Sequence, residues 1–369
     1  MRTGKLPPEL LGRLLAGIPR RDPRVLVGSS IGEDAALIDF FTPAAAPVAP
    51  LTAGAGGAAG GAAPGADAER LLVAKTDPIT FASDLIGWYA VHVNANDIAC
   101  AGATPRWFLA SALLPERWQE ADVEALFAQL GEACTALGVT LVGGHTEVTG
   151  GLDRPVVVGC MLGEVARAQA VRTGGGQAGD DLILTGGIAI EGTAVLAREA
   201  GRHLTARGVP PETLARASDY LFTPGISVVR AAQVLCAAAP PPHGVHSLHD
   251  PTEGGIAAGV WEVAEASGTG ATVQAAAVTV LPETRAVCDA LGLDPYGLLA
   301  SGALLAAVAP EATAAALGAL GAAGIPAQVV GRLTPRAGGL WRVDPDGARA
   351  PWPGFDRDEL ARYLETAPG

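Results

Sequence analysis

The chain has 369 residues, 49% of them apolar and 17% charged, which is enough for about two folded domains and unlike the composition of a disordered polymer. Its 25 basic residues against 38 acidic ones leave a formal charge of −13, and this excludes a broad basic surface for nucleic acid or anionic lipid. Any anionic ligand is therefore held locally, by backbone N–H groups, by a few arginines, or by carboxylates acting through a divalent metal. Lysine occurs only at Lys5 and Lys75, neither of them in a GxxxxGK[ST] run, so a Walker A loop is excluded. The five cysteines (Cys100, Cys134, Cys160, Cys236, Cys288) form no CxxC and indicate neither a disulfide framework nor a zinc knuckle. The first residues hold no apolar signal core. The most apolar stretch, 298–309, stops well short of the roughly 20 residues of a membrane span, so a cytoplasmic protein is expected.

In chain order, apolar spacing predicts an amphipathic helix over 6–16, then two extended segments within 25–39 that flank Glu33 and Asp34. Residues 42–68 are almost wholly Ala, Gly and Pro and read as a flexible surface insertion whose excision leaves ligand binding unchanged. A buried strand at 71–74 leads into Lys75-Thr76-Asp77, a helix follows over 85–103, a strand over 107–114 and a helix over 121–137. A strand at 140–142 is expected to end at Gly143-Gly144, with another strand at 156–160. Near Val165 the pattern starts again: strand 181–184, helices 194–200 and 227–238, strand 245–248, helix 256–266, strand 303–308, helix 311–323 and strand 327–333. The reading is α/β (α+β) in two halves, 1–164 and 165–345, with a tail over 346–369.

Four acidic loops recur in the first half: Gly32-Glu33-Asp34, Lys75-Thr76-Asp77, Asn94-Ala95-Asn96-Asp97 and Gly143-Gly144-His145-Thr146-Glu147. Carboxylates among small residues suit Mg²⁺, a hard ion that keeps water and substrate phosphate oxygens in its shell. Any one of these aspartates alone reads as a helix cap or turn residue, and the metal reading requires the loops to converge in space. In the second half, Asp250-Pro251-Thr252-Glu253-Gly254-Gly255 precedes a helix, where glycines can present N–H groups to an anion. Thr185-Gly186-Gly187 with Glu191-Gly192-Thr193 is a second such loop. His243, His246 and His249 look like a metal cluster, but in an extended segment three-residue spacing turns neighbours to opposite faces, so a zinc site is not expected there.

In this order GEDAA, KTDPIT, NANDIACAGATP, GGHTEVT and HDPTEGG resemble the signatures of one superfamily, spanning about Gly28 to Leu333. Its members include aminoimidazole ribonucleotide (AIR) synthase, formylglycinamidine synthase, the hydrogenase-maturation protein HypE, thiamine-monophosphate kinase and selenophosphate synthetase. The layout is nearest the HypE and AIR-synthase-related branch. The resemblance implies a PurM-like fold, in which the first half contributes strands to a barrel shared across a homodimer and the second half closes over ATP. It also implies a site. Asp34, Asp77, Asp97 and Glu147 would hold Mg²⁺. Gly32, Asp34, Thr76, Asp77, Asn94, Asn96, Gly143, Gly144, His145, Thr146, Gly254 and Gly255 would bind the nucleotide. Lys75, Asp97, Asp250 and Glu253 would act on the transferred group or the substrate. The implied activity is ATP- and Mg²⁺-dependent phosphoryl transfer to a small molecule, with an amide or carboxamide oxygen as one class of acceptor. A kinase of the thiamine-monophosphate type and a non-catalytic maturation factor that binds nucleotide and a protein partner are the alternatives. HypE ends in a cysteine that carries the carbamoyl group. This sequence ends Tyr363 to Gly369 without one, so the HypE reaction on its own tail is not expected.

Overall fold

A computed structural model describes residues 24–27, 33–40, 70–81 and 84–366, with Glu9. The helix expected over 6–16, the insertion over 42–68 and Gly32 lie outside the described residues.

The first half is a six-stranded sheet with two helices on it. In chain order it runs β1 (Val25–Val27), β2 (Ala36–Ile38), β3 (Arg70–Ile79), α1 (Ile86–Cys100), β4 (Thr104–Pro115), α2 (Glu120–Leu137), β5 (Thr140–Thr149) and β6 (Val156–Ala166). The spatial order is β1-β2-β3-β6-β4-β5, antiparallel except for the parallel pair β4 and β5. Strict alternation of buried and half-buried residues along β6 turns one face inward, as a period of two requires. Helix α1 lies on that face. Two glycines let it approach: a Cβ on Gly159 would sit 2.3 Å from the Asn94 amide, and one on Gly163 would sit 2.3 Å from Ile98. The helix is buried nearly all round, Asn94, Asn96 and Asp97 included. A helix apolar on every side is a core helix, and polar residues inside one need a stated reason.

The second half is a seven-stranded sheet, ordered β13-β12-β9-β11-β7-β10-β8. Its elements are β7 (Asp181–Thr185), α3 (Ile190–Glu199), α4 (Gly201–Ala206), α5 (Pro211–Ser218), α6 (Val229–Ala238), β8 (Val245–His249), α7 (Gly255–Ser267) and β9 (Thr269–Gln274). They continue with α8 (Pro282–Leu291), β10 (Leu305–Val308), α9 (Pro310–Ala322), β11 (Ala327–Pro335), β12 (Leu340–Val343), β13 (Arg349–Pro351) and α10 (Glu359–Thr366). Residues set apart in the sequence as a tail thus contain β13 and α10, and Leu360 of α10 is fully buried. One hydrophobic core runs through both halves, from Val73 and Ile98 to Leu235, Leu248 and Leu360. A smaller one lies between α7 and the strands β7, β9, β10 and β11. Among the described residues no helix is long and apolar enough to cross a membrane.

Candidate active site

Strand β3 and helix α1 bring opposite charges together under the sheet. Lys75 and Asp77 are two apart on β3 and share a face. The Lys75 Nζ lies 3.2 Å from Asp97 Oδ1 on α1 and 3.6 Å from Asp77 Oδ2. One turn before Asp97, the Asn94 amide donates to the Asp77 carbonyl at 3.2 Å and to Ala90 O at 2.9 Å, tying the Asp77 backbone to the helix. Thr76, between the two charged residues, donates its hydroxyl to Gly159 O on β6 at 2.7 Å.

The second half supplies the rest. β8 ends at His249, and Asp250 follows it. The Asp34 carboxylate, entering from beside β2, faces His249 Nδ1 at 2.8 and 2.9 Å and accepts from the Thr173 hydroxyl at 3.0 Å. The Cys100 thiol, at the end of α1, donates to Asp250 Oδ1 at 3.4 Å. Among the described residues the other carboxylate oxygens, Asp97 Oδ2 and Asp250 Oδ2, are buried without a hydrogen-bond partner, at residues 5% and 1% exposed.

The electrostatics follow from crowding. Burial pushes the Asp97 carboxyl well above the usual carboxylate range, Lys75 pulls it back, and Asp250, Asp34 and Asp77 push further. Burial and Asp34 raise Asp250 to about 7 against the pull of His249 and Lys75. Burial alone would lower the Lys75 ammonium, but Asp97, then Asp77, Asp34 and Asp250, outweigh it and raise it. Four carboxylates thus face the Lys75 ammonium and the His249 ring, and buried carboxylates are tolerated as anions only when paired or bound to metal. A divalent cation would supply positive charge and satisfy the two orphan oxygens. Carboxylate oxygens, the donors Mg²⁺ prefers, are offered by Asp34, Asp77, Asp97 and Asp250, of which Asp34 and Asp250 come within 4.8 Å of each other.

The other residues singled out in the sequence fall in three places. Asn96 does not face the cluster: its amide donates to Ile226 O at 2.8 Å and its oxygen accepts from Val228 N at 2.9 Å. Gly254 and Gly255 have positive φ, and a close approach does occur at Gly255. The neighbour there is the chain's own backbone, since a Cβ would lie 2.4 Å from Tyr296 O, and the Gly254 N–H is taken by Asp358 at 2.7 Å. Gly143 to Glu147 are not a loop after a short strand. They continue β5 as an exposed edge strand, on which His145 Nε2 meets Glu147 Oε2 at 3.2 Å, three strands away from β3. Within one chain the structure does not bring Glu147 to the aspartates. Glu253 starts the turn into α7 beside Asp358.

Sequence reasoning passed over Thr173 and Glu262, and it named Cys100, His249 and Glu191 without giving them a place in the site. The spacing argument about the histidines holds, in that His246 turns to Asp180 at 2.9 Å while His249 turns the other way to Asp34. A contact across 215 residues leaves no local signal; its one trace is that His249 directly precedes Asp250.

Comparison with known proteins places this geometry. Residues 56–165 match the N-terminal domain of AIR synthase related proteins, and residues 177–341 match the C-terminal domain. Carbamoyl dehydratase HypE of Rhizobium leguminosarum bv. viciae is 32% identical over 247 residues, 66% of each chain, just under two thirds of that relative's length. Carbamoyl dehydratase HypE of Rhodobacter capsulatus is 32% identical over 270 residues, 72% of this chain and 75% of the relative. Among solved structures, hydrogenase maturation protein HypE in complex with ATP superposes with a TM-score of 0.67 at 25% identity, over 84% of this chain and 90% of that one. A HypE–HypF complex gives 0.65 at 21% identity, over 78% and 90% of the two chains. AaThiL complexed with AMPPCP and TMP gives 0.65 at 17% identity, over 95% and 94%. The last two are alike in fold.

Proposed function

Because this chain belongs to the family of AIR synthase related proteins, we propose that it is an ATP- and Mg²⁺-dependent enzyme that transfers the γ-phosphoryl group to a small acceptor, an amide or carboxamide oxygen. The observation that carries the reading is the Lys75 ammonium set between Asp77 and Asp97, with two buried carboxylate oxygens, on Asp97 and Asp250, left without partners. Asp34, Asp77, Asp97 and Asp250 would hold Mg²⁺, which when bound neutralises phosphate charge and orients the polyphosphate. Lys75 adds a fixed cation beside the phosphate that leaves or is transferred. Phosphoryl transfer asks mainly for positioning and charge stabilisation, so a site of carboxylates and one lysine, with no activated nucleophile, is sufficient. Placing phosphate on a carboxamide oxygen converts that oxygen into a leaving group, and dehydration of a carbamoyl group, the chemistry in the relatives' names, is of this kind.

We also read β5 as the seat of a second copy. It is a ten-residue edge strand with Val142 52% and Val148 65% exposed. Pairing there would bring the His145–Glu147 segment of each chain to the partner and make the site a product of the homodimer.

The test is calorimetric titration of a non-hydrolysable ATP analogue with and without Mg²⁺, followed by assay for phosphate. Binding should require the metal, and Asp97→Asn should lower Mg²⁺-dependent turnover by about 10²-fold or more. Release of inorganic phosphate with an amide acceptor supports the reading, whereas phosphate retained on the product makes the chain a small-molecule kinase. Equal binding with and without Mg²⁺ and unchanged turnover in Asp97→Asn would remove the metal assignment.

A further inference from the structure

His249 stands in a line of carboxylates for which phosphoryl transfer has no use. Its ring is 4% exposed as a residue, with Nδ1 toward Asp34 and Nε2 2.9 Å from Glu262 Oε2 on α7. Ligand atoms of Asp34, His249 and Asp250 all lie within 4.8 Å of one another. The Cys100 thiol occupies Asp250 Oδ1, so the buried oxygen without a partner, Oδ2, is the one left for a ligand. A cavity of about 10 Å³, near the size that admits one water, opens beside Asp34, Cys100 and Thr173.

We propose that Asp34, His249 and Asp250 form a binding site for a first-row transition-metal dication of the Mn²⁺, Fe²⁺, Co²⁺ or Zn²⁺ kind, which shares Asp34 and Asp250 with the carboxylates assigned to Mg²⁺ and adds the His249 nitrogen. Two arguments support it. A neutral imidazole nitrogen suits transition ions and is foreign to Mg²⁺, which takes oxygen ligands. A metal-binding histidine also characteristically gives its second N–H to a carboxylate, which fixes the tautomer and aims the free nitrogen at the ion. Glu262 behind Nε2 is that carboxylate, and Nδ1, on the far side of the ring, faces Asp34, with Asp250 in the same 4.8 Å group. A bound ion would replace the proton that the 2.8 Å approach of Nδ1 to Asp34 requires. The site needs no nucleotide and uses Glu262 and His249, which the phosphoryl-transfer reading leaves idle.

The experiment uses the full chain without nucleotide. Co²⁺ is titrated and followed by its visible d–d absorption, and Mn²⁺ is added to a second sample for electron spin-echo detection of ¹⁴N coupling. One Co²⁺ per chain, poorly displaced by Mg²⁺, and an imidazole ¹⁴N modulation on Mn²⁺ are expected. Glu262→Gln should weaken Co²⁺ binding by about 10- to 100-fold while Mg²⁺-dependent binding of the ATP analogue persists. His249→Gln should abolish the ¹⁴N signal; if that variant fails to fold, the wild-type spectrum and Glu262→Gln decide the matter. Mn²⁺ bound without nitrogen coupling, Co²⁺ displaced as readily as Mg²⁺ is exchanged, or no Co²⁺ bound at all would make His249 a structural cation between two carboxylates. Nitrogen-coordinated metal in a chain that ignores ATP would sink the phosphoryl-transfer reading and leave this one standing.

Discussion

Glu191, in the first turn of α3, is buried, and burial pushes its carboxyl to about 8; Asp358, Asp77 and Asp250 push the same way, and the Ser301 hydroxyl pulls back. An acid whose folded value lies above its unfolded one keeps its proton longer in the native chain. Its contribution to stability is therefore full below the ordinary carboxylate range and is lost as pH rises through about 8. Glu191→Gln has no proton to lose. Thermal melts at pH 6 and pH 9 should show the variant gaining on the wild type at the higher pH, with a slope of at most about 1.4 kcal/mol per pH unit. A constant difference between the two proteins would mean that Glu191 ionises freely. At this scale the sequence was partly readable. Asp34, Asp77, Asp97 and Lys75 were legible because each stands in a short polar run beside apolar residues, although Lys75 and Asp77 lie inside β3 and Asp97 inside α1 rather than in loops. Glu191 was noticed only as part of a glycine loop, and nothing in a string of letters tells that α3 is buried almost throughout.

β5 is the element on which the proposed homodimer turns. It bonds to β4 on one side, and among the described residues no strand pairs with its other edge. Long edges with apolar side chains invite another strand, and proteins that stay monomeric blunt them. Val148→Lys puts a charge near the C-terminal end of that edge. Light scattering should give a particle of twice 37.0 kDa for the wild type and 37.0 kDa for the variant. A monomeric wild type would remove the second copy from the reading of the site. The strand was legible only in its first three residues, since a glycine pair ordinarily marks a turn. Here Gly144 instead sits at φ 145°, where a Cβ would lie 1.9 Å from Ala110 O, so the glycine serves the close passage of β5 beside β4. The neighbouring register shift between Phe108 and Leu109 belongs to the same irregularity. By contrast the first, apolar parts of β3 and β6, 71–74 and 156–160, were readable, and α2 is closed by Gly138 at φ 65° where its apolar spacing ends. Helices α4 and α5 were missed because they are short and carry few apolar residues to give a period.

For the whole molecule, Asn96 matters more than its place in an acidic motif suggests. It is fully buried on α1 and clamps Ile226 O and Val228 N, so the first half holds the second by a pair of hydrogen bonds inside a shared core. Asn96→Ala leaves a buried carbonyl and a buried N–H unpaired, at about 1–3 kcal/mol each. Denaturant unfolding followed by fluorescence should keep a single transition with its midpoint lowered. An unmoved midpoint would show that water replaces the clamp. The division into halves was visible in the sequence because the α and β pattern restarts near Val165. The clamp was not, because its partners lie 130 and 132 residues away.

The arrangement around Lys75 also decides how the protein meets reagents. Only an uncharged amine attacks an activated ester, and the carboxylates around Lys75 hold it as ammonium. With Lys5 the one other lysine, amine-directed dyes, bead couplings and lysine cross-linkers bypass the Lys75 cluster, and a chain attached to a surface in this way keeps that cluster chemically intact.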